Sequence, residues 1–380
     1  MKPACSALLL GLLLPLSAHA DWDYEISGSA TGLYGYSDLE KRFRADERHS
    51  QGTGDFHLNT AVIYTYNDDY GASLNADFMG GIDHNLKNYS QGSWGEEIYG
   101  IFDAPAGRLM LGQTANVGAQ FHQGAPMVGP LGLNDSRIVD FIANPNWTRT
   151  KKVASFATLN STSPNTDGTA PKISYITPQF YNTLLGFSYI PDSYSRTGLV
   201  NKFAHYAKKD GYVGSLYHNL DLGWGDLSAS VSYAEYHDND KEFFAGMQLR
   251  RGGWTVGGSW RKTYIDGDDK RRPSSAERTP ELFDNYREGY AWDIGVGYEI
   301  GPYQVSLGYF DAKAERTKNR SRIVMLSNEY QLNKWLDIYL TGAYAKFDGA
   351  TEAVAENRTG YAVVAGARLH FAKSCQSLNF

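Results

Sequence analysis

The chain has 380 residues, of which 42% are hydrophobic and 14% aromatic, and it contains 27 tyrosines and 40 glycines. Its mean hydropathy is −0.44, and no run of 18 apolar residues occurs, which excludes a transmembrane helix. A formal net charge of −6 argues against a nucleic-acid partner, which would require a basic face. Many short strands rich in glycine and tyrosine fit this composition better than helices do.

Residues 1–20 have the features of a secretory signal peptide. Lys2 precedes a short apolar stretch, and an Ala-His-Ala cleavage site ends at Ala20. Cleavage there would remove Lys2 and change the formal charge from −6 to −7. Cys5 lies before the apolar stretch, so no lipoprotein anchor is expected. Cys375 is the only other cysteine, so the mature chain is predicted to have no intramolecular disulfide.

After residue 20 the dominant pattern is the alternation of apolar and polar residues, which predicts β-strands with two different faces. The segment YAWDIGVGYEI (290–300) shows it well, because six alternate apolar residues oppose aspartate, glutamate and glycine. Sixteen strands are predicted in this way, at 23–36, 54–66, 71–82, 95–102, 107–113, 171–177, 183–190, 210–220, 225–237, 242–251, 253–265, 290–300, 303–313, 321–331, 335–347 and 359–371.

The connections between these strands alternate in length. Short turns such as NDDYG and DAPAG alternate with long polar loops at 37–53, 83–94, 114–170, 191–209, 266–289 and 348–358. The loops 238–241 and 314–320 are the shorter members of this second set. Such alternation is typical of an up-and-down barrel whose two rims face different surroundings. Outer-membrane barrels have short periplasmic turns and longer external loops.

Two folds are compatible with the alternating strands, a soluble sandwich and a membrane barrel. In the sandwich the apolar faces would form a core, whereas in the barrel they would contact lipid around a wet lumen. Three features favour the barrel: strands of about 10–12 residues, an even strand number, and aromatic residues near strand ends. The predicted fold is therefore all-β, a transmembrane antiparallel up-and-down β-barrel of sixteen strands.

The last predicted strand illustrates how the barrel should close. In lipid every backbone polar group must pair within the protein, so this strand should seal against the first one. Arg368 and His370 should face water, and Val364 should also face inward. The outward, lipid-facing residues are predicted to be Tyr361, Val363, Ala365, Ala367, Leu369 and Phe371. An arginine at position 363 should therefore impair assembly, whereas one at position 364 should not.

The chain resembles the general porins of Gram-negative bacteria over nearly the whole mature sequence, and four segments carry the resemblance. They are GRLMLGQT (107–114), PKISYITPQFYNTLLGFSYIPDS (171–193), WLDIYLTGAYAKFD (335–348) and GYAVVAGARLHF (360–371), of which the second is most similar to alphaproteobacterial porins. The resemblance implies an outer-membrane homotrimer of sixteen-stranded barrels, surrounded by lipid. It also implies that the loop 114–170 folds into the lumen as a constriction. Porins often carry arginine where this chain has Gln113.

These observations predict the organisation of the chain. Residues 1–20 are the expected signal peptide and 21–371 the barrel, including the constriction loop 114–170. That loop is rich in glycine, proline and apolar residues, which suits packing against a wall better than exposure to water. Within this loop, residues 151–159 also alternate between apolar and polar residues. They could form an extra hairpin strand, or they could be filler with no strand. Residues 372–380 are expected to be an extension that pairs with no strand.

For the pore, the expected arrangement is acidic loop residues facing basic residues of the wall. The loop offers Asp135 and Asp140, although its own bases Arg137, Arg149, Lys151 and Lys152 could pair with them instead. The candidate wall bases are His57, Lys172, Arg250, Arg261 and Arg368. The alternative for each is a solvated lumen residue away from the constriction. Weak cation selectivity is predicted from the net charge and from the inward acids Asp23 and Glu25.

The predicted function is passive diffusion of ions and small hydrophilic solutes across the outer membrane. A substrate-selective channel is the alternative, and a membrane-embedded hydrolase is a more distant one, since neither G-x-S-x-G nor H-E-x-x-H occurs. No cofactor or metal is expected. Asp266, Asp268 and Asp269 lack the spacing of an EF-hand and are interpreted as part of a solvated loop.

Overall fold

The structure is a computed structural model that describes residues 21–38, 49–83, 94–133, 138, 141–142, 161–164, 167–192, 209–236, 240–264, 288–315, 320–348 and 358–375. Its strands are β1 (Asp21–Ser37), β2 (Ser50–Asn67), β3 (Tyr70–Asp83), β4 (Trp94–Ala104), β5 (Gly107–Gln113), β6 (Pro171–Ile176), β7 (Thr183–Asp192), β8 (Lys209–Asp221), β9 (Asp226–Tyr236), β10 (Asp240–Arg251), β11 (Trp254–Tyr264), β12 (Gly289–Ile300), β13 (Tyr303–Ala314), β14 (Arg320–Asn333), β15 (Leu336–Asp348) and β16 (Arg358–Cys375). A short helix, α1 (Val117–Gln120), follows β5. All sixteen predicted strands are confirmed, with ends that differ by at most four residues.

The strands form one closed antiparallel barrel. Each strand pairs with its neighbours in the sequence, and β1 pairs with both β2 and β16, so the sheet has no free edge. This closure satisfies the backbone groups that could not find water inside a bilayer. Within the described part of the chain, no helix has the length and apolarity needed to cross a membrane. The predicted fold class is confirmed.

The two faces of each strand differ as the sequence predicts. On β16, Tyr361, Val363, Leu369 and Phe371 are exposed on the outer face, whereas Ala362 and Val364 between them are buried. Large apolar side chains are exposed on the outer face of the other strands as well, and several form aromatic pairs near the short-turn rim. The rings of Trp22 and Tyr64 are 4.8 Å apart and those of Trp254 and Tyr298 are 4.5 Å apart. Such rings suit a membrane interface.

The end of the barrel lies further along the chain than predicted. Strand β16 continues past Phe371 to Cys375, and its residues 372–375 pair with Tyr24–Ser27 of β1. The expectation that nothing after residue 371 pairs with a strand is therefore wrong for these four residues. The sequence AKSC has no apolar alternation, but backbone pairing with the start of β1 does not require it. Residues 1–20 and 376–380, which include the expected signal peptide, lie outside the described residues.

Candidate functional site

The segment between β5 and β6 begins with a capped helix that packs on the inner face of the wall. The Asn116 side chain accepts a hydrogen bond from the Ala119 N–H over 2.9 Å and thereby caps α1. Val117 is fully buried and lies against Gly186 of β7. A Cβ atom at position 186 would lie 2.8 Å from the Cβ of Val117, so the helix reaches the wall only because this residue is glycine.

Further along, the apolar residues of the same segment pack against the opposite half of the wall. Leu131, Leu133, Ile138, Phe141 and Ile142 are all buried. They form one hydrophobic cluster with inward side chains of β1 and β12–β16, namely Leu33, Ala291, Phe310, Ala312, Ile323, Met325, Ala343, Ala345, Phe347, Ala362 and Val364. The apolar residues of the segment that the structure describes therefore pack against the wall.

The wall is made of small residues where this segment approaches it most closely. A Cβ at Gly308 of β13 would lie 2.6 Å from Leu133, and one at Gly35 of β1 would lie 2.8 Å from Phe141. Glycine and alanine at inward positions are therefore the sequence signal for this contact surface. That signal is present in the alternating strands, but the small residues stand there among the polar ones and are not distinguished from them by alternation alone.

A buried carboxylate ties both limbs of the segment to the wall, and we call this arrangement the Asp293 clasp. Asp293 of β12 accepts hydrogen bonds from the Ala125 N–H (2.8 Å) and the Ser259 N–H (3.0 Å). Its second oxygen accepts from the hydroxyls of Thr162 (2.7 Å) and Ser259 (2.9 Å). Because Ala125 and Thr162 lie far apart in the sequence, one side chain fixes the outgoing and the returning limb together.

His122 lies beside the Asp293 clasp. Its Nε2 is 3.1 Å from the Thr162 hydroxyl, and its ring is 4.9 Å from that of Phe244. Burial lowers the pKa of the His122 imidazole, although the nearby Asp293 carboxylate acts in the opposite direction. The neutral form of the ring therefore suits this packed environment.

A second buried carboxylate, in the arrangement that we call the Asp167 clasp, holds the end of the segment. Asp167 and Lys172 of β6 are fully buried and form an ion pair with a 3.1 Å N–O distance. Asp167 also accepts hydrogen bonds from Asn116 (2.5 Å) and Tyr236 (3.1 Å). Lys172 donates to the carbonyl oxygens of Thr114 and Gly168. The clasp thus joins the start and the end of the segment to β6 and β9.

Replacing Lys172 with Met is expected to destabilise the attachment of this segment by roughly 3–5 kcal/mol, because it leaves the buried Asp167 carboxylate without a counter-ion. Limited proteolysis of the folded protein should then cut faster within 114–170. Lys346→Met is the matched control, since Lys346 is exposed and lies 3.8 Å from Asp348 in a surface pair. Equal cleavage of both variants and the unsubstituted protein would contradict the assigned role of Lys172.

Two of the five predicted wall bases are buried where the segment attaches to the barrel wall. Lys172 belongs to the Asp167 clasp, so it does not contact an open pore. Arg261 of β11 forms a buried ion pair with Glu242 at 3.0 Å and donates to the Ser161 carbonyl over 3.2 Å. Both residues therefore hold the segment against the wall. The predicted loop acids, Asp135 and Asp140, lie outside the described residues, as does the segment 151–159.

The other three predicted bases are more accessible. Arg250 is exposed near the β10–β11 turn and donates to Gln248 over 2.9 Å. Arg368 of β16 donates to Thr31 over 3.1 Å, with its guanidinium 5.4 Å from the ring centre of Tyr339. His57 of β2 lies 3.2 Å from Asp55. The register places His57 and Arg368 on either side of β1, and Arg250 lies apart from them.

The inner face of β2, β3 and β4 remains partly exposed, unlike the face covered by the segment; we call it the β2–β4 wall. Its inward polar side chains include His57, Asn59, Asn75, Asp77, Glu97 and Tyr99. Asp77 lies directly opposite Glu97 in the sheet register. Glu97 also accepts a hydrogen bond from Thr114 over 3.0 Å, at the point where the segment leaves β5. This carboxylate pair was not among the predicted pore residues, because basic residues were expected on the wall.

Comparison with known proteins adds independent evidence. A family model described as Gram-negative porin matches residues 4–350. No curated protein sequence matches the chain significantly. Two similar solved structures are the outer membrane channel DcaP of Acinetobacter baumannii (TM-score 0.57, 13% identity, 93% of this chain and 98% of that one) and OmpF of Salmonella typhi in complex with daunomycin (TM-score 0.57, 9% identity, 92% and 97%).

A third similar structure is an anion-selective porin from Comamonas acidovorans, with a TM-score of 0.54 and 13% identity over 93% of this chain and all of that one. At such identities the structural likeness shows a common barrel fold. The family match covers most of the chain, and it confirms the resemblance, the outer-membrane location and the diffusion function predicted from the sequence. The chain belongs to the Gram-negative porin family, the diffusion channels of the outer membrane.

Proposed function

We propose that this porin passes ions and small hydrophilic solutes through a lumen narrowed by the segment 114–170, without enzymatic chemistry. The observation that carries this proposal is the packing of the described part of the segment. Its buried apolar residues and two clasps contact the inner face of the barrel wall. A segment held in this way would fill part of the cross-section of the lumen that an empty barrel would leave open. The width of the pore then limits the size of the solutes that can pass.

We propose a preference for cations on the basis of charge accessibility. Lys172 and Arg261 are neutralised in buried ion pairs and do not face open water. Asp77 and Glu97, in contrast, lie together on the partly exposed β2–β4 wall. Carboxylates that line a narrow aqueous path raise the local concentration of cations and lower that of anions.

The double variant Asp77→Asn, Glu97→Gln is expected to lower the cation-to-anion permeability ratio by at least about twofold, because it removes two neighbouring negative charges from the wall. The measurement is the reversal potential of single channels in a potassium chloride gradient. Asp68→Asn, in the exposed β2–β3 turn, is the control and should leave the ratio unchanged. A ratio that stays the same in the double variant would remove these carboxylates from the selectivity mechanism.

We also propose that the protein is a homotrimer whose contact surface includes the outer face of β16 and β1–β4. Supporting it, OmpT of Vibrio cholerae, solved in a trimer form, shares the fold with a TM-score of 0.55 and 11% identity over 92% of this chain and 99% of that one. The outer face of these strands is rich in small residues, namely Gly28, Ala30, Gly32, Gly54, Ala72, Ala76, Gly80, Gly100, Ala365 and Ala367. Small residues let two barrels approach closely.

Ala76→Trp is expected to weaken the trimer, because a bulky ring on this face would hold the barrels apart. The outward Ala229 of β9 offers a matched control, and Ala229→Trp should have no effect on assembly. Light scattering in detergent would give the oligomer mass, and gel mobility after stepwise heating would give the dissociation temperature. A monomeric unsubstituted protein, or equal dissociation temperatures for both variants, would contradict the proposed surface.

A further inference from the structure

Two histidines face the inside of the barrel on either side of one serine. Ser29 of β1 pairs in register with His57 of β2 and with His370 of β16. Both imidazoles line the same open cleft of about 310 Å³. The cleft is also lined by Ser27, Asn59, Lys334 and Trp335. Water and ions therefore reach both rings.

The first ring, His57, has carboxylates on two elements. Its Nε2 is 3.2 Å from Asp55 on the same strand, and its side chain is 39% exposed. Asp77 of β3 interacts with it electrostatically, and the register partner on β3 is the uncharged Met79. On the other side, β1 contributes the uncharged Ser29. Protonation of His57 would thus add a positive charge beside Asp55 and Asp77.

The second ring, His370, also has carboxylates on two elements. Its Nε2 is 2.5 Å from Asp337 of β15, and its side chain is 38% exposed. Glu329 of β14 interacts with it electrostatically, and Arg368 lies two residues away on β16. Lys334, in the turn between β14 and β15, lines the same cleft. This side of the wall therefore carries two carboxylates, two permanent cations and one titratable imidazole.

We infer that His57 and His370 are specificity-determining residues that make the ion selectivity of this pore depend on pH. The inference rests on the proposed cation-preferring channel. Histidine is the side chain that ordinarily changes charge between about pH 5 and pH 8. While both rings are neutral, the nearby carboxylates dominate the local field. A ring that takes up a proton adds a positive charge beside those carboxylates, so the preference for cations decreases.

The test is the reversal potential of single channels in a potassium chloride gradient, measured at about pH 8 and at about pH 5.5. In the unsubstituted protein the cation-to-anion permeability ratio should fall by at least about twofold on acidification. The double variant His57→Asn, His370→Asn should keep nearly the same ratio at both pH values. Each single variant should lose part of the change.

Two further histidines provide controls. His218 of β8 lies on the outer face and contacts Thr183 over 2.9 Å, so His218→Asn should respond to pH as the unsubstituted protein does. His122 is part of the packed segment, so His122→Asn should alter conductance, which reports pore width, and leave the pH dependence of the permeability ratio in place.

The outcomes separate this inference from the proposed function. If the permeability ratio of the double variant changed with pH as much as that of the unsubstituted protein, the inference would be overturned and the effect would be assigned to the carboxylates. A conducting channel whose selectivity does not change with pH would also overturn the inference, while the channel itself would stand. Absence of conductance at both pH values would overturn the proposed function and the inference together.

Discussion

Removal of residues 119–140 is expected to increase the single-channel conductance at least about twofold and to admit larger sugars. The physical reason is that this stretch contains Leu131 and Leu133, which are buried against the inner face of β12–β16. Its loss would free that part of the lumen, while the closed ladder of sixteen strands does not depend on it. Single-channel recording and swelling of liposomes in sugars of graded size would measure the change.

A point variant distinguishes the effect of the segment's position from the effect of its removal. Asp293→Ala removes the acceptor of four hydrogen bonds in the Asp293 clasp and leaves the segment complete. We expect a larger and noisier open-channel current, because the limbs at Ala125 and Thr162 lose their shared acceptor. If neither the deletion nor the point variant changed the conductance, the segment would not form the constriction.

Val363→Arg is expected to prevent or strongly reduce assembly in the membrane. Val363 is 51% exposed on the outer face of β16, between the exposed residues Tyr361 and Leu369. On this face the residue contacts lipid while the barrel inserts, before a neighbouring barrel of the proposed trimer can cover it. An arginine facing lipid at the middle of the membrane costs roughly 2–4 kcal/mol, and less near the interfaces. Gel mobility with and without heating would show the folded fraction after insertion into detergent micelles or vesicles.

The neighbouring position tests the facing of the strand. The sequence predicts that Val364→Arg is harmless because the residue faces inward. The structure supports the inward direction of Val364. It does not support a harmless substitution, because Val364 is 2% exposed and packs in the hydrophobic cluster with Phe141. Val364→Arg should therefore assemble but displace the segment and change the conductance. Asn59→Arg, inward and exposed on the β2–β4 wall, should be tolerated. Normal assembly of Val363→Arg would mean that the facing is inverted.

The barrel could be predicted closely because its rules are local. A strand with lipid on one side and water on the other must alternate, so each strand carries its own evidence in the sequence. The end of β16 shows where that evidence stops. Residues 372–375 pair through the backbone with β1, and backbone pairing leaves no trace in side-chain pattern. The prediction therefore stopped at Phe371, the last apolar residue of the alternation.

The pore residues were harder to predict, because exposure depends on what covers the wall. Lys172 and Arg261 occupy inward positions as expected, yet the segment buries both of them. Their partners, Asp167 and Glu242, are identified only once the path of the segment and the pairing of β10 with β11 are known. Local alternation describes which face a residue occupies, and it does not describe what lies opposite that face.

The most direct test of the proposed function is the conductance of single purified channels in a planar lipid bilayer, recorded over a range of potassium chloride concentrations and in a salt gradient. We predict stepwise insertions whose conductance rises in proportion to salt concentration, as diffusion through a water-filled pore requires, and a reversal potential of the sign given by cation preference. A conductance that saturates at low salt, a clear anion preference, or no conductance at all would contradict a cation-preferring diffusion pore.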